Sequence, residues 1–303
     1  MDKKLLFVYN PKAGKALIKN KLAEILNTFA KAGYEMTVVP TQKHDDARAV
    51  VAGRRDEYEL VVCSGGDGTL DEVVTGMIQS GFRTPIGYIP AGSTNDFGGS
   101  LALPKNMLRA AEVVVQGTNF PCDIGYFKYD DVEDVFVYIA AFGLFTDVSY
   151  ETAQDMKNVL GHMAYLLEGM KRLSSIRSYR MKVSWAGNEI EDDFIFGMIT
   201  NSLSVGGFKN ITGKNVKLDD GVFEVTLIKQ PRNPIELNNI MLSLLNRNID
   251  TDAMLCFRTE ELTLESKEPV SWTLDGENGG SHIRVTIQNI CRGMDIRVKK
   301  EET

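Results

Sequence analysis

Apolar residues recur along the first third of the chain in two alternating rhythms. Leu5 to Tyr9 is a short continuous apolar run, and Leu22, Ile25, Leu26 and Phe29 then mark one face of a helix that Gly33 ends. Met36 to Val39 returns to strand, Ala47 to Arg54 to helix, and Leu60 to Cys63 to strand. A helix from about Leu70, carrying Val73, Val74, Met77 and Ile78, and a strand from Ile86 to Ile89 follow. This β-α-β-α order predicts a doubly wound α/β domain, a mainly parallel sheet with helices on both faces. Ligands in such sheets bind at the carboxyl ends of the strands. Asn10-Pro11, Thr41, Gly65-Gly66 and Pro90-Ala91-Gly92 all fall there.

Beyond about Cys122 the rhythm changes. Val137 to Phe145 has the length of one buried strand. Met181 to Trp185, Phe194 to Ile199, Val222 to Lys229, Glu261 to Leu264, Val270 to Leu274 and His282 to Ile287 are further strand-like runs between Gly and Asn turns. They predict an antiparallel β-sandwich. The expected division is a first domain of residues 1–122 joined by about 288–303, and a second of residues 123–287. Val159, Met163, Leu166, Met170 and Leu173 form one apolar helical stripe, with Lys171, Arg172, Arg177, Arg180 and Lys182 at its end and just beyond. An ordinary helix packed on the sheet is the simpler reading; a basic, membrane-facing element is the alternative. The helix around Ile235 to Leu245 shows core periodicity alone.

Composition narrows the function classes. A chain of 303 residues exceeds the usual size of one hydrophobic core, which agrees with two domains. The formal charge of -7 argues against a nucleic-acid-binding surface, which needs a net basic face. Cys63, Cys122, Cys256 and Cys291 form no CxxC pair and read as reduced thiols of a cytoplasmic protein. The apolar run after Lys3-Lys4 is too short for a signal segment, and no stretch reaches the roughly 18 apolar residues of a membrane span. A membrane partner would be met from the surface. His44, His162 and His282 lie outside every motif and read as structural or exposed.

The candidate chemistry is concentrated in Gly65-Gly66-Asp67-Gly68-Thr69, directly after an apolar strand and before a helix. Glycine lets a ligand approach the main chain closely, and the helix adds N-terminal donors and partial positive charge. Such a loop suits a phosphate. Asp67 would repel one unless a cation intervened, so it implies Mg²⁺, a bond to a substrate hydroxyl, or both. An ordinary P-loop is absent: Gly14-Lys15 is followed by Ala16, and Tyr9 stands where the motif needs Gly.

The ordered motifs resemble the diacylglycerol kinase catalytic-domain family, soluble lipid kinases related to sphingosine and ceramide kinases. They are Asn10 to Gly14, Gly65 to Thr69, Pro90-Ala91-Gly92-Ser93-Thr94-Asn95-Asp96-Phe97, Asp123-Ile124-Gly125, Gly206-Gly207-Phe208, Leu218-Asp219-Asp220-Gly221 and Asp275-Gly276-Glu277. The resemblance implies an ATP- and Mg²⁺-dependent kinase acting on diacylglycerol or a related lipid alcohol at a membrane surface, with a first domain of NAD-kinase and phosphofructokinase type. It implies that ATP is bound by Asn10, Pro11, Lys12, Ala13, Gly14, Thr41, Gly65, Gly66, Asp67, Gly68, Thr69, Leu70, Asp71, Glu72, Thr94, Asn95 and Asp96. Asp67, with Asp96 and Asp123, would organise Mg²⁺, and Glu277 would be the general base. A second, structural Mg²⁺ would take the carbonyls of Lys217 and Val222 and the carboxylate of Asp220. A homodimer is compatible with the resemblance.

Two positions depart from the family's usual pattern. Asp71 stands where an Asn is usual, and Gly98-Gly99 stands where a small residue is followed by Arg. Both shift local charge toward negative. An NAD kinase-like enzyme and an inactive nucleotide- or lipid-binding sensor are the competing readings.

Overall fold

A computed structural model describes residues 3–54, 58–81, 83–144, 177–205, 208–209, 216–246 and 252–300. The apolar stripe from Val159 to Leu173, with Lys171 and Arg172, lies outside them, as do His162 and the Gly206-Gly207 pair. The chain divides into two compact units, Met1–Ile124 with Cys291–Thr303, and Gly125–Ile290.

The first unit contains β1 (Lys3–Tyr9), α1 (Ile18–Lys31), β2 (Tyr34–Pro40), α2 (Asp46–Ala52), β3 (Leu60–Gly65), α3 (Asp67–Ser80), β4 (Ile86–Pro90), α4 (Asp96–Ser100) and α5 (Met107–Gln116). β5 (Thr118–Tyr129) begins in it. The strand order β2-β1-β3-β4 is parallel throughout. Alternate side chains of a strand face opposite ways. Leu5, Phe7, Leu60 and Val62 pack in one cluster with Ile25 and Phe29 of α1 and Ala110, Ala111 and Val114 of α5. The intervening Leu6, Val8, Val61 and Cys63 are equally buried on the other face, which α2 and α3 cover. This is the doubly wound α/β architecture, and it places all three loops after β1, β3 and β4 at one edge of the sheet.

The glycine-rich helix starts earlier than Leu70. Gly66 is its N-cap, and the amides of Thr69 and Leu70 already bond to the Gly66 carbonyl at 3.1 and 3.2 Å. Half of the motif is therefore the first turn of α3. The apolar residues that betray the helix begin a turn after the backbone does.

The second unit is antiparallel. It contains β6 (Val132–Phe136), β7 (Ile139–Gly143), β8 (Tyr179–Trp185), β9 (Asn188–Thr200), the short pair β10 (Ser204–Val205) and β11 (Phe208–Lys209), and β12 (Phe223–Lys229). Then come α6 (Pro234–Asn246), β13 (Met254–Thr259), β14 (Glu261–Leu274) and β15 (Glu277–Val298), whose last residues belong to the first unit. β9 and β14 each pair with β8 along one half and with β7 along the other. The sandwich core is aromatic: Phe127, Phe136, Phe142, Phe194, Phe223 and Trp272 are all buried in it.

Three expectations need correction here. Within the run Val137 to Phe145 the strand is shorter than expected, β7 from Ile139 to Gly143. Val137 and Tyr138 lie between β6 and β7, and the buried carboxylate of Asp275 accepts their amides and that of Ile139, the first residue of β7. The two runs Glu261 to Leu264 and Val270 to Leu274 are a single strand with an irregular register between Glu265 and Val270. In α6 only part of the periodicity faces a core: Ile240 is fully buried, whereas Ile235 is 72% exposed and Leu242 47%.

Candidate active site

The loops after β1, β3 and β4 are stitched to one another by main-chain bonds. The Asn10 amide donates to Ser64 O at 2.8 Å, and Ala91 and Gly92 donate to Gly65 O at 2.8 and 3.2 Å. Three glycines permit the closeness. A Cβ on Gly14 would stand 2.4 Å from Ala91 O, one on Gly65 2.4 Å from the Thr69 side chain, and one on Gly92 2.6 Å from the Gly66 Cα. Gly14 also has a positive φ of 52°. The result is a cradle walled by backbone at the end of a parallel sheet, with the N-terminus of α3 entering it.

Side chains then lock the cradle from behind. Asn95, itself left-handed, gives both ends of its amide to Gly92: Oδ1 accepts the Gly92 amide at 2.9 Å and Nδ2 donates to the carbonyl at 2.8 Å. The Tyr88 hydroxyl donates to Gly65 O at 3.2 Å. Burial, with Asp67, Cys63 and Asp96 nearby, holds that phenol well above its ordinary range, so it stays a donor. Burial likewise pushes the Cys63 thiol far up, with Glu72 and Asp67 adding to the effect.

The carboxylates of the motif face main chain. Asp67 accepts the amides of Asp96 and Phe97 at 3.0 and 3.4 Å and so caps α4, whose own N-cap side chain is spent on Gly92. Glu72 reaches out of α3 to the start of α2. Its two oxygens accept the amides of Asp45 and Ala47 at 3.0 Å each. Burial raises the Glu72 carboxyl above its ordinary value, against these two bonds. The segment between them is tied in turn by Asp46, which accepts the amides of Gln42 and Lys43, and by the Thr41 amide on Tyr9 O at 2.9 Å.

Of the remaining expected nucleotide residues, Ala13, Thr41, Thr69, Leu70 and Asp96 are buried, while Lys12, Gly14 and Thr94 are exposed at the loop surfaces. Pro11, Gly68 and Asp71 are half-buried. Asp123 is fully buried on β5 and accepts the Arg292 amide at 2.7 Å. The Gly98-Gly99 pair is split by its surroundings. Gly98 is buried, and a Cβ on it would meet Pro90 at 3.0 Å, whereas one on Gly99 meets nothing within 4 Å.

Glu277 and the stretch Lys217 to Val222 belong to the second unit. Glu277 opens β15 opposite Leu274, across a two-residue turn of Asp275 and Gly276 with φ of 51° and 88°. Positive φ at both central positions makes this the hairpin turn that Asp-Gly favours. The turn is fixed at each end. Asp275 holds three amides of the β6–β7 break, and His282 stacks on Tyr129 with centroids 3.7 Å apart while its Nε2 bonds to Gly279 O at 2.9 Å. His282 is thus structural, and the Asp-Gly dipeptide was the signal that could have located the hairpin.

Asp220 offers a fit for a cation. One oxygen meets the Arg258 guanidinium, and the other, Oδ1, is buried with no hydrogen-bond partner. Such an orphaned carboxylate oxygen is the donor type a hard divalent ion takes. Burial pushes the neighbouring Glu224 carboxyl up to about 7, with Arg258 pulling it down and Asp220 pushing it up.

Comparisons with known proteins bear on both units. The family described as "Diacylglycerol kinase catalytic domain" matches residues 4–127, and that described as "YegS C-terminal NAD kinase beta sandwich-like domain" matches residues 141–298. The chain is 34% identical to a diacylglycerol kinase of Staphylococcus carnosus, over 99% of this chain and 97% of that protein. It is 30% identical to one of Bacillus subtilis, over 99% and 98%. A crystal structure of a diacylglycerol kinase from Bacillus anthracis shares the fold with a TM-score of 0.76 at 21% identity, over 98% of this chain and 97% of that one. With relatives at this identity along nearly its whole length, the chain belongs to the diacylglycerol kinase catalytic-domain family.

Proposed function

We propose that the protein is an ATP- and Mg²⁺-dependent lipid kinase that transfers the γ-phosphate to the hydroxyl of diacylglycerol or a related lipid alcohol. The observation that carries this reading is the cradle after β1, β3 and β4, in which Gly14, Gly65 and Gly92 leave room for no side chain. Backbone amides at a helix N-terminus suit a phosphate chain. The names of the relatives support diacylglycerol as the first acceptor to test.

In this reading Asn10 to Gly14, Thr41, the loop from Gly65 to Asp71, and Thr94 to Asp96 border the nucleotide, with the exposed Lys12 ammonium available to the phosphates. Asp67, Asp96 and Asp123 would hold the nucleotide's cation or its waters. Bound Mg²⁺ supplies neutralisation of phosphate charge, which is most of what phosphoryl transfer needs. Glu277 takes the proton of the acceptor hydroxyl. The hydroxyl oxygen bonds to the γ-phosphorus, the bond from that phosphorus to the β–γ bridging oxygen breaks, and ADP leaves. Among the described residues no helix is long and apolar enough to cross a membrane, so the lipid would be met at the bilayer surface.

The test is transfer of label from γ-labelled ATP across diacylglycerol, sphingosine, phosphatidylglycerol and NAD. Label is expected in a lipid, and Glu277→Gln is expected to abolish it while nucleotide still binds. Transfer to NAD alone would replace this reading with the NAD kinase one. ATP binding with no transfer to any acceptor would leave a nucleotide-binding sensor.

A further inference from the structure

Glu224 lies on β12, four residues beyond Asp220, and stands directly opposite Arg258 of β13 in the antiparallel register. The guanidinium is shared between two acids. Its Nε donates to Glu224 Oε1 at 3.1 Å, and its Nη2 donates to Asp220 Oδ2. Each carboxylate keeps its other oxygen back. Asp220 Oδ1 and Glu224 Oε2 are both buried, and neither has a hydrogen-bond partner. Glu224 is 6% exposed, so water does not supply the missing donor cheaply.

With both carboxyls ionised the group carries one more negative charge than positive, and it holds two desolvated acceptor oxygens. Leaving a buried charged acceptor unsatisfied costs more than leaving a neutral one so. A hard divalent cation takes such oxygens and the surplus charge together. Arg258 is the member with access to water, because its side chain is 49% exposed.

We infer that Glu224 belongs to the cation site read at Asp220, contributing its second oxygen, and that Arg258 competes with the cation for both carboxylates. The inference rests on the reading of Asp220 as a cation ligand and adds two residues to it. It gives the two neighbours opposite signs. Removing the Glu224 carboxylate weakens cation binding, and removing the Arg258 charge strengthens it. A merely structural ion pair would change stability in both variants and cation affinity in neither.

The test is Mn²⁺ binding to the full chain without nucleotide, followed by electron paramagnetic resonance with Mg²⁺ as competitor. Asp220→Asn is expected to lose the site, and Glu224→Gln to weaken it by about tenfold or more, because hard-cation affinity follows the number of charged oxygen ligands. Arg258→Gln is expected to tighten it by about tenfold, the inverse change. Wild-type affinity in both Glu224→Gln and Arg258→Gln, with the site lost in Asp220→Asn, overturns the inference and leaves the Asp220 reading standing. Wild-type affinity in Asp220→Asn removes the reading and the inference with it. Thermal unfolding of the same variants guards against a folding failure. Arg258→Gln that folds only with added Mg²⁺ supports the competition, and Arg258→Gln that folds under neither condition refutes it.

Discussion

The carboxylate of Asp67 accepts the amide of Asp96 at 3.0 Å, so the acid of the glycine motif caps a helix carried by the next motif. A cap of this kind is worth about 0.5–2 kcal/mol. Asp67→Ala is expected to lower stability to urea by about that amount. Asp67→Asn, which keeps one acceptor oxygen, should lose less. Equal losses in both variants would mean that the charge matters and the bond to α4 does not.

Glu72 performs the same service for α2, and both of its oxygens are used on Asp45 and Ala47. If ATP is bound as proposed, Glu72 would be a positioning residue, acting through the segment that includes Thr41. Glu72→Gln turns one acceptor into a donor that faces an N–H. The expected result is a KM for ATP raised about tenfold, equivalent to about 1.4 kcal/mol, with kcat less affected. A kcat loss at unchanged KM would place Glu72 at the chemical step instead.

The apolar rhythm is sufficient to place β1, β3 and β4, because each strand is buried on both faces and its side chains read as an unbroken run. Once those strands are placed, the glycine loops at their ends follow. The partners of Asp275 and Glu224 are not readable in this way. Asp275 meets Val137 across 138 residues, and Glu224 meets Arg258 across 34, and local periodicity carries no information about such pairings. The late start of β7 within the run Val137 to Phe145 is hidden for the same reason: the carboxylate that takes the Val137 and Tyr138 amides lies far along the chain. Glu72 follows the glycine motif directly in sequence, but its oxygens face the start of another helix, which no local pattern reveals.

Gly14 and Gly33 separate backbone strain from crowding. Both have positive φ, 52° and 84°, but a Cβ at Gly33 meets nothing within 4 Å while one at Gly14 would stand 2.4 Å from Ala91 O. Gly33→Ala is expected to cost about 1–2 kcal/mol, the ordinary left-handed penalty, and to leave ATP binding intact. Gly14→Ala should lose ATP binding as well, measured by calorimetry. If the two variants bind ATP alike, the close approach of the first and third loops is not needed for the cradle.

The thiols should divide by location. Cys63 and Cys122 are fully buried, and Cys256 and Cys291 are exposed. Burial also raises the Cys63 thiol, so it offers little thiolate. Titration of the native chain with a chromogenic disulfide should report the two exposed thiols quickly and the other two only after unfolding in guanidinium chloride. Rapid reaction at Cys63 would mean that β3 opens at its carboxyl end, where the cradle begins.

Gly99 is the position at which family members usually carry Arg, and its surroundings leave room for one. A Cβ at Gly98 would press on Pro90 at 3.0 Å and Tyr88 at 3.3 Å, but Gly99 is exposed, and a Cβ there meets no atom within 4 Å. It lies on α4, the helix that Asp67 caps and Asp96 opens, so two carboxylates already belong to that helix start. A guanidinium added there would offset that negative charge and give phosphate a fork-shaped donor. Gly99→Arg is therefore expected to lower the Kd for ATP several-fold, on the scale of one exposed charge interaction of about 0.2–1 kcal/mol. The gain should shrink as salt rises from 50 to 500 mM, because exposed charges are screened within about 10 Å at 0.1 M. Gly99→Gln, with similar length and no charge, should bind ATP as the native chain does. Equal tightening by Arg and Gln would trace the effect to helix propensity in α4, since glycine is the poorest ordinary helix former, and would remove charge from the account.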